Sequence, residues 1–147
     1  MAKNRKIFRI VGIVSIVLVL VLAAGVGCYV AYARSVEQDV NELTRQGKRS
    51  FEQERYVEAM ESLYKALQTN QDDLEAWMIY AKARLRVPET DNRHLAEAIH
   101  ALRQAIGLQP DNTEAQRMIA GVSLLSEDYW NAIRSAECLV ELLPDDP

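Results

Sequence analysis

Few side chains in this sequence have the type and spacing that catalysis or metal binding requires. The two histidines, His94 and His100, are six residues apart, so on one helix they point in different directions and cannot ligate the same metal ion. Two cysteines, Cys28 and Cys138, are too few for a disulfide framework. No nucleophile elbow, phosphate-binding loop or zinc motif occurs in the sequence. We therefore predict no catalytic residue, no metal site and no cofactor.

The charge distribution argues against nucleic acid as a partner. The chain has 17 Lys and Arg residues and 21 Asp and Glu residues, and four of the basic residues precede position 10. From Arg34 onwards, 13 basic residues stand against 21 acidic ones, so this part carries a net charge of −8. Nucleic-acid binding needs a basic face, which this balance does not favour.

An uncharged segment near the N-terminus predicts a membrane anchor. Residues 10–33 contain no charged side chain and would span about 36 Å as a helix, enough to cross a bilayer. The preceding residues 1–9 are basic, and the positive-inside rule places them in the cytoplasm. We therefore expect a single-pass membrane protein with residues 34–147 on the far side. In a bacterium this means the inner membrane and the periplasm, although some anchored mitochondrial receptors keep such domains in the cytosol.

Two alternatives to an uncleaved anchor stay open. Gly25-Val26-Gly27-Cys28 resembles a loose bacterial lipoprotein signal in which Cys28 would be acylated, and a cleaved signal peptide is the other. The linker at 34–39 is short. Either the membrane helix continues through it, or Ser35 and Gln38 form a capping box that starts a new helix.

The rest of the chain is built from a sequence pattern that recurs three times, in steps of 39 and 34 residues. Ala59, Ala98 and Ala132 share one position of the pattern, and Gln71, Pro110 and Pro144 share another. Apolar residues follow the first position at helical spacing, so each unit predicts a pair of helices. Small residues at equivalent positions would let the paired helices approach closely. The small residues at these predicted packing positions are Gly47, Ala59, Ala66, Ala81, Ala98, Ala105, Ala120 and Ala132. The larger Trp77 is also a predicted packing residue and would fill a gap between helices.

This pattern resembles the tetratricopeptide repeat family, whose period is 34 residues. The resemblance covers residues 40–146 and implies an all-α fold, with repeats at 40–73, 74–112 and 113–146 in a right-handed α-solenoid. The second repeat carries five extra residues near 87–93, which we expect to be a surface insertion or a contact point for a partner. Gln71 replaces the usual proline, Gln116 the usual large apolar residue and Leu139 the usual alanine.

The resemblance also implies a peptide-binding groove lined by the first helix of each repeat. Three cations in this groove, Lys48, Lys82 and Arg117, would favour a partner peptide with acidic and apolar residues. The alternative is that they are solvated surface side chains whose charge Glu52, Glu75 and Glu114 offset. Family members that clamp chaperone C-termini use two Lys, two Asn and one Arg. At those positions this chain has Thr44, Lys48, Ile79, Arg117 and Gly121, which argues against that activity. The predicted groove residues are Thr44, Lys48, Phe51, Met78, Lys82, Leu85, Arg117 and Leu124.

The resemblance predicts a non-catalytic adaptor or scaffold that holds another protein at the membrane surface. A solenoid normally ends in a helix with a polar outer face, and no such helix follows the third repeat. We therefore expect Leu124, Ala136 and Leu139 to be partly uncovered, or covered by a second copy in a homo-oligomer. Two alternative functions are a self-associating structural scaffold and the N-terminal part of a longer protein with its activity downstream.

Overall fold

The computed structural model describes the backbone of residues 2–143 and the side chains of residue 22 and residues 25–143. This part contains six α-helices and no strand, and it divides into two compact units, Met1–Asp39 and Val40–Pro147. The helices are α1 (Ala2–Glu52), α2 (Tyr56–Thr69), α3 (Leu74–Arg86), α4 (Arg93–Leu108), α5 (Thr113–Leu125) and α6 (Tyr129–Leu142).

The first unit contains the whole segment, 10–33, that the sequence predicts to span a membrane. The side chains of residues 10–21, 23 and 24 lie outside the described part. Across the residues that are described, no helix is both long enough and apolar enough to span a bilayer. Ser35 lies within α1, and its hydroxyl donates to the carbonyl oxygen of Tyr32 at 2.8 Å, so it caps no helix N-terminus.

The helices of the second unit pack in chain order, which makes this unit an α-solenoid. Helix α2 packs on α3, α3 on α4, α4 on α5, and α5 on α6. Its largest apolar core cluster includes Met78 of α3, Leu102 of α4 and Ile119 of α5. The core is therefore distributed along the stack of helices, as expected when each helix pair buries its apolar stripe against the next.

Side-chain caps begin three of these helices. The Asp73 carboxylate accepts the backbone N–H of Ala76 at 2.9 Å, and the Asn112 carbonyl accepts that of Ala115 at the same distance. Asp128 caps α6 through the N–H of Asn131. Hydrogen bonds from Asn131 hold the pKa of the Asp128 carboxyl below its ordinary value. Each cap satisfies an N–H group that has no partner inside its helix.

The first and third helix pairs share one turn geometry. Glu54 and Glu127 both adopt left-handed backbone conformations, with φ of 60° and 59°. In each turn a backbone N–H reaches back five residues, from Arg55 to Ser50 and from Asp128 to Ser123, both at 2.8 Å. This bond closes the helix C-terminus in the manner of a Schellman motif. The two serines are buried beneath these turns.

The paired helices cross at the small residues that the repeat pattern marks. Gly47 of α1 is so close to α2 that a Cβ built there would lie 2.5 Å from Cγ of Leu63. Leu63 is fully buried, and Ala120 is partly buried. The remaining alanines of the pattern are all buried: Ala59, Ala66, Ala81, Ala98, Ala105 and Ala132.

Helix α6 buries little of its predicted apolar stripe. Of that stripe only Ala132 is buried, whereas Ile133 and Val140 are exposed and Leu139 is partly buried. Leu124 and Ala136 are exposed as well. The stripe stays open because, within the described residues, no helix packs over α6 as α3 packs over α2 and α5 over α4.

The crossing at Gly47 predicts opposite effects for two glycine substitutions. Gly47→Ala should lower the free energy of unfolding by about 1–2 kcal/mol, because overpacking against Leu63 exceeds the gain in helix propensity. Gly107→Ala, where a Cβ meets nothing within 4 Å, should raise that free energy by about 0.5–1 kcal/mol. Urea denaturation followed by circular dichroism measures both. Equal stabilisation by the two substitutions would contradict the close crossing.

Candidate peptide-binding groove

A groove of about 480 Å³ lies along the first helices of the three pairs. Four of the eight predicted groove residues line it: Lys48, Phe51, Met78 and Lys82. Leu74 and Ile79, which add apolar surface, and Asn112 also line the groove, although none of them is among the eight predicted groove residues. The remaining lining residues are Glu52, Glu75 and Glu114. The groove therefore combines an apolar wall with a row of charged side chains.

The two lysines of the groove are held in ion pairs that repeat along the stack. Lys48 Nζ lies 2.5 Å from Glu75 Oε2, and Lys82 Nζ lies 2.7 Å from Glu114 Oε1. Lys48 and Lys82 occupy equivalent positions of the repeat, as do Glu75 and Glu114. Each pair therefore joins one repeat to the next across the groove wall.

These pairs change the electrostatic character expected of the groove. The carboxylates of Glu75 and Glu114 are 65% and 60% exposed, and surface ion pairs of this kind contribute only about 0.2–1 kcal/mol. An incoming carboxylate could displace them, but it must compete with two glutamates that are already in place. The groove therefore presents charges of both signs beside its apolar wall rather than a row of free cations.

The other four predicted residues do not line this groove. Thr44 is buried, and Leu85 packs against a cluster of Leu95 and Ile99 from α4 and Val122 from α5. Arg117 is exposed on α5, and Leu124 is exposed in the last turn of that helix. All eight predicted residues lie on the first helices of the three pairs, and the groove is narrower than the helix faces that border it.

Sequence reasoning missed a charged residue that anchors the insertion of the second repeat. Arg84 occupies the position at which the other two repeats have Ser50 and Ser123. Its guanidinium contacts the carboxylates of Glu97 at 2.7 Å and Glu89 at 3.1 Å, and only 9% of its side chain is exposed. The change from serine to arginine in the aligned repeats was the available signal.

A histidine also holds the insertion in place. His94 Nδ1 accepts the backbone N–H of Glu89 at 3.0 Å, and Arg93 pairs with the Glu89 carboxylate. Asp91, rather than the helix-flanking Asn92, accepts a backbone N–H at the start of α4, from Arg93. The segment 87–93 is therefore tied to both helices it joins. In the described part of the chain, no three His, Cys, Asp or Glu side chains come together as metal ligands would.

Tyr80 lies beside the carboxylate of Glu97. Burial of the phenol and, secondly, the charge of Glu97 raise the pKa of Tyr80 above its ordinary value, and the charge of Arg84 opposes this. The hydroxyl donates to Glu97 Oε2 at a long 3.5 Å. Tyr80 and Arg84 of α3 and Glu97 of α4 form a cluster, which joins the two helices through charge and apolar contact.

Comparison with solved structures supports the fold, whereas the two comparisons by sequence find no match. The chain matches no protein-family model, and no curated protein matches it. Among solved structures, the first TPR of Spaghetti (RPAP3), bound to the HSP90 peptide SRMEEVD, aligns with a TM-score of 0.59 and 21% identity. That alignment covers 74% of this chain and 85% of the other. The described helices form a tetratricopeptide-repeat-like (TPR-like) fold.

Two further structures support the TPR-like fold. MamA aligns with a TM-score of 0.65 and 23% identity over 76% of this chain, which spans 58% of the MamA chain. The TPR2B domain of yeast Sti1, solved as a complex with pHsp70, aligns with a TM-score of 0.59 and 17% identity. That alignment covers 72% of this chain and 81% of the other. At these identities the likeness concerns the fold alone.

The Arg84 cluster predicts a stability effect that a neighbouring arginine should not share. Arg84→Ala should lower the free energy of unfolding by about 1–3 kcal/mol, since it leaves two carboxylates without their buried cation. Backbone amide hydrogen exchange should become faster across 87–93, because Glu89 loses its ion pair with Arg84. Arg86→Ala, on the same helix but exposed, should stay within about 0.5 kcal/mol of wild type. Equal effects of the two substitutions would show that the cluster contributes nothing specific.

Proposed function

We propose that this protein is a non-catalytic interaction module that binds a peptide segment of another protein in the groove lined by Lys48, Phe51, Met78 and Lys82. The observation that carries the proposal is the groove itself, where apolar side chains lie beside ion pairs weak enough to exchange. Structural neighbours with bound peptides or Hsp70 support this class of activity. An extended or helical segment with apolar anchors and mixed charge fits the surface.

The chaperone-tail specificity of some neighbours is not part of this proposal. The groove has a carboxylate beside each of its lysines, and Ile79 lines it at a position where the clamp would need an amide. A C-terminal carboxylate would find no preformed set of free donors there. We infer a partner that contacts the groove through its side chains rather than through its C-terminus.

We further propose that the module is held at a membrane by residues 10–33, with residues 1–9 in the cytoplasm. The support is the sequence alone: 24 uncharged residues that follow a basic N-terminus. In a bacterium, the TPR-like unit would then act on the periplasmic side of the inner membrane.

Capture of a partner from carbonate-washed native membranes tests the groove and the anchor together. A bait that stays in the washed pellet supports the anchor, and a bait that is washed off contradicts it. With Lys48→Glu and Lys82→Glu combined, the partner recovered by wild type should fall by roughly tenfold, equivalent to about 1.4 kcal/mol. Retention of the same partner by this variant would contradict groove binding.

Two matched variants make that experiment specific. The first adds Glu75→Lys and Glu114→Lys, which restores both ion pairs in reversed order, so folding is preserved while the direction of charge changes. Loss of the partner in this variant too assigns the effect to recognition rather than to stability. The second, Lys65→Glu, changes an exposed lysine on α2 that does not line the groove, and the partner should be retained.

A self-associating scaffold is the second candidate function, and one observation favours it. Helices α5 and α6 expose Leu125, Trp130, Ile133 and Val140, and exposed apolar patches mark interaction surfaces when their side chains adjoin. Ile133→Glu with Val140→Glu should abolish any self-association and spare capture in the groove. Loss of the captured partner in this variant would favour the scaffold.

A further inference from the structure

A second cavity lies between helices α4, α5 and α6 and shares no lining residue with the groove. Its volume is about 320 Å³, at the lower end of the range for ligand pockets. Ile106 and Ile119 form apolar walls, and Arg103 of α4 and Arg134 of α6 stand on different helices around it. The other lining residues are Gln116, Asn131, Ser135 and Cys138.

The repeat pattern shows why this cavity is open. Gln116 occupies the position that Trp77 fills one repeat earlier. There the indole packs edge-on against Tyr80 and His100, with ring centroids 6.5 and 6.2 Å away, and its N–H donates to the Gln71 carbonyl oxygen at 2.8 Å. A cavity of about 360 Å³ beside Trp77 is lined by α2, Gln71 and the indole, and it does not reach α4.

Three rings therefore fill the part of this space that faces α4, and the cavity beside Trp77 keeps the part that faces α2. Ile119 stands where the earlier repeat has Tyr80, and Arg134 stands where it has His100. With no aromatic side chain at any of the three positions, the cavity extends from α4 across α5 to α6. Its shape follows from the absence of one indole and its two ring neighbours.

Two polar side chains are placed to bond to a ligand in this cavity. Gln116 and Ser135 are each only 7% exposed and both line the cavity. Within the described residues, neither side chain makes a hydrogen bond, and neither has a polar atom that is both buried and without a partner. The amide and the hydroxyl are therefore accessible from the cavity and can bond to a polar group that enters it.

The charges around the cavity indicate that the ligand carries negative charge on either side of the part that enters it. In the part of the chain that is described, neither Arg103 nor Arg134 forms a salt bridge. Arg103 lies near the Asp128 carboxylate, whose donors are the backbone and amide N–H groups of Asn131. Asn131 is therefore already engaged, while both arginines remain available for carboxylates from outside.

We propose that this cavity binds a tryptophan side chain of a partner peptide, with acidic residues on both sides of it. The inserted indole replaces the ring that Trp77 supplies in the preceding repeat, and its N–H donates to the side-chain oxygen of Gln116 or Ser135. The flanking carboxylates pair with Arg103 and Arg134. A peptide can reach both arginines at once, whereas a free aromatic acid has a single carboxylate.

Protection of Cys138 from alkylation tests this proposal in the full chain. The Cys28→Ser substitution leaves Cys138, which lines the cavity and is partly buried, as the sole thiol. The peptide acetyl-Glu-Trp-Glu-amide should slow its reaction with a maleimide by roughly tenfold at saturation. Acetyl-Glu-Ala-Glu-amide should give no protection, and acetyl-Lys-Trp-Lys-amide should bind roughly tenfold or more weakly. Equal protection by all three peptides, or none by the first, would overturn the proposal.

Two variants separate the cavity from general effects of the peptides. Gln116→Trp should fill the cavity from within, slow Cys138 alkylation without peptide and remove the effect of the probe. Arg103→Ala with Arg134→Ala should lower the affinity for acetyl-Glu-Trp-Glu-amide by roughly tenfold or more, and Arg86→Ala should leave that affinity unchanged. The arginine variants change exposed residues, so they decide the matter even where Gln116→Trp does not fold. Unchanged binding in the double arginine variant would contradict the charge assignment.

The cavity and the groove can succeed or fail independently. Lys48→Glu with Lys82→Glu should leave probe binding at the cavity unchanged, because the two surfaces share no residue. Loss of probe binding in that variant would place the peptide in the groove and overturn the assignment of the cavity.

Discussion

The close approach of paired helices at small buried residues sets the geometry on which the rest of the TPR-like unit depends. Gly47 leaves room for the fully buried Leu63, and Ala81, Ala98 and Ala105 pack without exposure farther along. Because each pair must fit at this crossing, the first helices of successive pairs stand side by side. The groove follows from that alignment, as do the ion pairs that connect Lys48 to Glu75 and Lys82 to Glu114.

Positions that depart from the repeat pattern give one repeat a surface that the other repeats do not have. Where two repeats have a buried serine beneath a tight turn, the second has Arg84, which fixes a longer connection through Glu89 and Glu97. Where the second repeat has Trp77, the third has Gln116 and an open cavity. Regular positions hold the helices in register, and irregular ones shape what the solenoid can contact.

The helix pairs of the TPR-like unit could be predicted from the sequence because their buried residues recur at a helical period. The contents of the groove were predicted only in part. Periodicity assigns a residue to a helix face, but it does not say that Leu85 packs against side chains of α4 and α5. Counting charges showed that glutamates offset the lysines, while the pairing itself depends on distances between repeats. The Arg84 cluster depends on a contact between an insertion and two helices, which no local pattern encodes.

The most direct test of the central claim is site-specific photo-crosslinking of the full chain in intact cells. A photoreactive amino acid would replace Lys82 in the groove and, as a control, Lys65 on α2. If the groove holds the partner, the probe at 82 crosslinks to one protein, at a defined apolar segment, and the probe at 65 does not. Crosslinks to that protein from position 65 alone, or from both positions equally, would contradict recognition by the groove.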